Sequence, residues 1–123
     1  MNLVDSSGWL EYFADSKNAK NFAAPIQDTK NLIVSAINIY EVFKKVLFQT
    51  DENSALQAIA IMQQATVVDV DSQIGIEAAK ISTENSVPMA DSIIIATARS
   101  HNATIWTQDA DFKDFENVKY FKK

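Results

Sequence analysis

The feature that most constrains this chain is a set of short apolar runs without internal alternation, each next to a stretch of helical periodicity. Asn2-Leu3-Val4, Asn31-Leu32-Ile33-Val34, Thr66-Val67-Val68 and Ala103-Thr104-Ile105-Trp106-Thr107 are of this kind. A strand with one face in water alternates polar and apolar residues, whereas a strand buried on both faces does not, so these runs predict a parallel sheet with helices on either side. The expected class is α/β, a three-layer α/β/α arrangement with a short, mainly parallel central sheet. At 123 residues and 47% hydrophobic, the chain reads as one domain spanning residues 1–123.

The local signals fill in the order. A strand over residues 2–5 leads into a helix from about Ser7, with Ser6 or Ser7 as its cap and Trp9, Leu10, Tyr12 and Phe13 on its apolar face. A polar stretch at residues 17–20 follows, and Pro25 restarts the chain before a second strand at 31–34 and a helix from about 35 to 48. Thr50 or Asp51 caps the next helix, to about residue 64, with Leu56, Ile59 and Ala60 on one side. After a strand at 66–68, Asp71 caps a helix carrying Ile74, Ala78 and Ile81, and Pro88 stands near the start of another that runs through Arg99. The fourth strand, at 103–107, gives way to a turn with Asp109, Asp111 and Phe112, and a last strand lies near Val118-Lys119-Tyr120.

Four carboxylates recur where an apolar run ends or an apolar helix begins. Asp5 follows the first run, Glu41 lies within Ile37-Asn38-Ile39-Tyr40-Glu41-Val42-Phe43, Asp91 opens Ile93-Ile94-Ile95-Ala96, and Asp109 follows the last run. In parallel sheets ligands bind outside the carboxyl ends of the strands, near the point where strand order reverses. Asp5 and Asp109 fall just past strand ends, Glu41 is two turns into a helix, and Asp91 must reach the site through packing. Carboxylates held together repel one another, and Mg²⁺ or Mn²⁺ relieves that repulsion while keeping positions for water and a phosphate oxygen. The chemistry this permits is in-line hydrolysis of a phosphodiester, with one ion or a pair ~3.5–4 Å apart.

Singly, each acid has a plainer explanation. Asp5 suits a helix cap, Glu41 a solvated face, Asp91 the first turn of a helix, and Asp109 and Asp111 a turn. Their joint placement favours a shared site. Asp69 and Asp71 read as a strand exit and a cap, and His101, in a polar His-Asn turn, reads as a surface residue.

The absence of cysteine excludes disulfides and thiolate zinc sites and suits a reducing cytoplasm. No basic leader and no apolar segment of roughly 18 residues is present, so the expected location is cytoplasmic, without a membrane. A net charge of −5, a single arginine (Arg99) and a pI near 4.7 argue against adhesion to nucleic acid by charge alone. Setting the four acids aside leaves a nearly neutral remainder. Lys113, Lys119, Lys122 and Lys123 read as a solvated tail. Lys44 and Lys45 offer phosphate contacts, or Lys45 is an i,i+4 partner of Glu41.

With these residues in view, the chain resembles the PIN-domain ribonucleases, and within them the VapC-type toxins of toxin–antitoxin pairs, over nearly its whole length. The resemblance lies in Val4-Asp5-Ser6-Ser7-Gly8-Trp9-Leu10, Ile39-Tyr40-Glu41-Val42, Met89-Ala90-Asp91-Ser92-Ile93-Ile94-Ile95-Ala96-Thr97-Ala98 and Trp106-Thr107-Gln108-Asp109-Ala110-Asp111-Phe112, in that order. It implies Asp5, Glu41, Asp91 and Asp109 as catalytic, metal-binding acids. Asp111 would be an outer contributor, and Ser6 and Thr107 hydroxyls that orient a carboxylate or bind phosphate. It further implies Mg²⁺ dependence with Mn²⁺ as a substitute, RNA as substrate, a homodimer and a cognate antitoxin. Trp9, Phe13, Phe43 and Trp106 are assigned mainly to the core, any exposed part of Trp9, Tyr12 or Phe13 lining a groove for a partner's helix.

Two other readings compete. A phosphate-accepting receiver domain shares the parallel α/β plan, but it needs adjacent acids after strand one, whereas here that strand ends Asp-Ser-Ser. A non-catalytic binding module with the same fold is the second.

Overall fold

The computed structural model describes residues 1–123. Strands β1 (Asn2–Val4), β2 (Leu32–Ser35), β3 (Thr66–Val68), β4 (Thr104–Thr107) and β5 (Val118–Tyr120) form one sheet in the order β3-β2-β1-β4-β5. Every neighbouring pair is parallel. Leu3 pairs in register with Ile33 and Ile105, and Val4 with Trp106. From β1 the chain builds outward through β2 and β3, then crosses to add β4 and β5 on the other side. The order thus reverses between β1 and β4, and their carboxyl ends open the crevice where such sheets bind ligands.

The helices are α1 (Ser6–Phe13), α2 (Ala19–Gln27), α3 (Ala36–Gln49), α4 (Glu52–Met62), α5 (Ser72–Asn85) and α6 (Met89–Ser100). Because side chains alternate across a strand, the central strands β1, β2 and β4 feed two cores, while the edge strands β3 and β5 are only partly covered. Leu3, Ile33 and Ile105 pack with Ile74, Ala78 and Ile81 of α5 and Ile94 and Ile95 of α6. Val4, Leu32 and Val34 pack on the opposite side with Trp9, Phe22, Val42, Ala58 and Met62 of α1 to α4. This double burial produces the non-alternating runs of the sequence and gives the expected three layers. No helix is long and apolar enough to cross a membrane.

Three local expectations are corrected. Asp5, rather than Ser6 or Ser7, caps α1, its carboxylate accepting the Gly8 N–H at 3.2 Å. Pro25 does not restart the chain but lies inside α2, where Ala19, Phe22, Pro25 and Ile26 are buried along one side. Burial of that stripe outweighs the single backbone hydrogen bond that proline forfeits. In α4 the buried face is Ala55, Ala58, Ile59 and Met62, while Leu56 is 54% exposed and Ala60 points to solvent. Small residues carry that face because α4 packs closely on α3.

Gly8 fixes how near α1 lies to the sheet. A Cβ there would come within 2.6 Å of Val4 Cγ1 and 2.8 Å of the Phe22 ring. Any side chain would push α1, and with it Asp5, away from β1.

Candidate metal centre

Asp91, Asp109 and Asp111 each offer a carboxylate oxygen, and these oxygens all lie within 4.8 Å of one another. Three pieces of local structure converge to place them. Asp91 occupies the first turn of α6, Asp109 lies two residues past Thr107, the end of β4, and Asp111 sits in the 3-10 turn Ala110–Phe112. Asp109 caps that turn by accepting the Asp111 N–H at 2.9 Å, so one acid positions the next. Its own N–H donates to Thr107 Oγ1 at 2.9 Å.

Asp5 and Glu41 stand outside this closest group but act on it. Asp5 is 3% exposed, and its carboxyl is pushed up to about 7. Burial is the main cause; hydrogen bonds from Ser7, the Gly8 N–H and Thr107 pull the other way, and the charge of Asp109 adds to the rise. Asp91, half-buried, is raised to about 6, first by burial and then by the charges of Asp109, Asp111 and Glu41. Glu41, on α3, accepts the Ser6 hydroxyl at 2.7 Å.

No basic side chain offsets this charge. The one salt bridge of the molecule joins Lys80 and Glu77 on α5, so Lys45 is not paired with Glu41. Clustered carboxylates without a cationic partner either take up protons or bind a cation. The donors are all carboxylate oxygens, with no cysteine in the chain and His101 exposed on the far end of α6, a set that suits Mg²⁺ or Mn²⁺ rather than softer metals.

A polar scaffold behind the acids was not singled out in the sequence. The Ser7 hydroxyl donates to Asp5 Oδ1 at 2.7 Å, and Gln108 is buried between α1 and the C-terminus. Its Nε2 donates to Glu11 Oε1 at 3.2 Å, and its Oε1 accepts from Asn18 Nδ2 at 3.0 Å. Asn18 also donates to the Lys122 carbonyl. Asn38, with no exposed surface, donates to Ser6. For Ser7, Gln108 and Asn38 the one available signal is an uncharged polar residue close to a named acid or in the apolar segment carrying it; Asn18, in the polar stretch before α2, gives none.

A groove of about 610 Å³ runs between α1, α3 and α4, with Leu10, Phe13, Val46 and Ile61 as apolar wall; none of the five acids lines it, and Ser7 and Gln108 are the scaffold residues that reach it. Of the three aromatics expected there, Phe13 lines it, while Trp9 is wholly buried.

The family model for the PIN domain matches residues 3–118. Among solved structures, a toxin–antitoxin complex from Klebsiella pneumoniae has a chain that superposes with a TM-score of 0.83 at 20% identity, covering 100% of both chains. A DNA-bound VapBC from Salmonella typhimurium gives 0.76 at 16% identity over 99% of this chain and 98% of that one. VapC20 of Mycobacterium tuberculosis, described as a Sarcin-Ricin loop cleaving toxin, gives 0.78 at 18% identity over 97% and 99%. At these identities the likeness concerns the fold. No curated protein matches the sequence.

Proposed function

The chain belongs to the PIN domain family, and from that premise we propose that it is a metal-dependent endoribonuclease, the toxin of a toxin–antitoxin pair. The observation that carries this reading is the convergence of Asp91, Asp109 and Asp111, with Asp5 and Glu41 close enough to perturb or be perturbed, in a crevice that no lysine or arginine neutralises. Asp5, Glu41, Asp91 and Asp109 are the acids we assign to metal binding and catalysis, with Asp111 joining them. A divalent cation held by these acids would supply the activation of water and the neutralisation of phosphate charge that phosphodiester hydrolysis needs.

The chain's own residues prepare that chemistry. Asp5 and Asp91 hold protons more tightly than exposed aspartates, so protons would compete with a cation for them and affinity would rise with pH through that range. Ser7 and Gly8 hold Asp5 in one orientation, and Thr107 fixes the backbone of Asp109. Lys44 and Lys45, exposed on α3 beyond Glu41, are the phosphate contacts we assign. With so few basic groups, substrate binding depends weakly on salt.

RNA as substrate, a cognate antitoxin, a homodimer and a cytoplasmic location complete the reading, with residues 1–123 as one nuclease domain. Its support is the family together with solved relatives described as a toxin–antitoxin complex, a VapBC and a loop-cleaving toxin. The purified protein with Mg²⁺ should cut RNA, and both EDTA and Asp91→Asn should abolish cutting. Cleavage that persists in either case defeats the assignment.

A further inference from the structure

Asn38 is a fully buried amide in the first turn of α3, and its orientation is fixed. The backbone N–H of Ser35 donates to Asn38 Oδ1 at 3.1 Å, which leaves Nδ2 to donate to Ser6 Oγ at 3.0 Å. An amide nitrogen carrying two hydrogens cannot accept, so the Ser6 proton cannot point back at Asn38. It goes to Glu41 Oε1, 2.7 Å away. Ser35, Asn38, Ser6 and Glu41 thus form a one-way chain that leaves the end of β2, passes through the first turn of α3 to α1, and returns to a carboxylate on α3.

We propose that Asn38 is a positioning residue: by donating to Ser6 it turns that hydroxyl onto Glu41 and holds the glutamate ready for the divalent cation. The inference rests on the nuclease reading above and goes beyond it, because Asn38 touches neither an aspartate of the cluster nor substrate. Glu41 is half-buried, has no basic partner and sits on a long side chain, so without the hydroxyl several rotamers would compete. A carboxylate ordered before the cation arrives loses less entropy on binding. Groups of this kind behind metal ligands commonly change affinity by about 10–100-fold.

The test is calorimetric titration with MnCl₂ at neutral pH on the full chain, for the wild type, Ser6→Ala, Asn38→Leu and the double variant, each with its metal-free melting curve. Ser6→Ala and Asn38→Leu should each weaken Mn²⁺ binding by about tenfold, and the double variant should bind no more weakly than Ser6→Ala, since both act through one hydroxyl. A purely structural asparagine would lower the melting temperature and leave the folded protein's affinity unchanged. If Asn38→Leu does not fold, Asn38→Ser, which keeps a polar atom in the turn but is too short for Ser6, is used in its place. Unchanged Mn²⁺ affinity in a folded Asn38 variant, beside weakened binding in Ser6→Ala, overturns this proposal alone. Failure of the wild type to bind Mn²⁺ overturns the nuclease reading and this inference with it.

Discussion

At the start of α1, Asp5 accepts the N–H of Gly8, and at the start of α4, Asp51 accepts the N–H of Ser54; both are aspartate N-caps three residues from their donor. Their proton affinities nevertheless move in opposite directions. Asp51 is fully exposed, and hydrogen bonds from the Ser54 backbone and hydroxyl hold its carboxyl below the usual value. Asp5 is buried beside Asp109, and desolvation overwhelms the same kind of capping bond. One motif is therefore an exposed ionised cap at one helix and a desolvated carboxyl that resists ionisation at the other, and what separates them is the place in the sheet. Proteins tolerate such destabilised groups where function needs them.

The sharpest way to break this contrast is to neutralise both caps. Asp5→Asn should lower Mg²⁺-dependent RNA cleavage by about a thousandfold, the scale of losing several kcal/mol of metal-derived stabilisation. Asp51→Asn should leave cleavage unchanged. Equal losses in gel-based cleavage assays would show that capping, and not the acid cluster, matters at Asp5.

Metal addition comes next in size. Millimolar Mg²⁺ at pH 7.5 should raise the wild-type melting temperature by several degrees, in a manner reversed by EDTA. Asp91→Asn should lose that response and Asp51→Asn should keep it. A metal-insensitive wild type in differential scanning fluorimetry would contradict the account.

The two caps should also give opposite pH dependence without metal. Asp5 rises from an ordinary 3.8 to about 7, so between those values the folded chain holds a proton that the unfolded chain has released. Its contribution is fully present below about 4 and is lost as pH rises through 7. Asp91, raised to about 6, acts in the same sense over a narrower window. Asp51 is lowered, so its contribution is present above 3.8 and lost as pH falls through its folded value. Accordingly, metal-free Asp5→Asn should melt above the wild type at pH 8 and lose that advantage near pH 4. A constant difference across that range would refute the burial argument. The smallest effect is that of Asp51→Ala, which should lower the melting temperature slightly at neutral pH and progressively less in acid.

What could be read in the sequence follows the same physics. The central strands declare themselves because burial on both faces removes polar alternation, and Asp5 and Asp109 are legible because they stand at the ends of such runs. Alpha2 was hidden because Pro25 is a reliable breaker only where tertiary burial does not oppose it, and Phe22 and Ile26 oppose it here. The packed face of α4 was misjudged because large residues dominate a pattern, whereas Ala55 and Ala58 make the contact. Within the site, Asp111 joins Asp91 and Asp109 only through the 3-10 turn that Asp109 itself caps. Asn38 gives no signal beyond being polar in an apolar helix, since its role depends on Ser6, 32 positions away.

The most direct measurement is anomalous diffraction from crystals grown with Mn²⁺. A manganese peak about 2.1 Å from carboxylate oxygens of Asp91 and Asp109, in the crevice shared with Asp5, Glu41 and Asp111, is the predicted result. A fully ordered crevice with no peak at millimolar Mn²⁺, or a peak bound only elsewhere on the molecule, would contradict it.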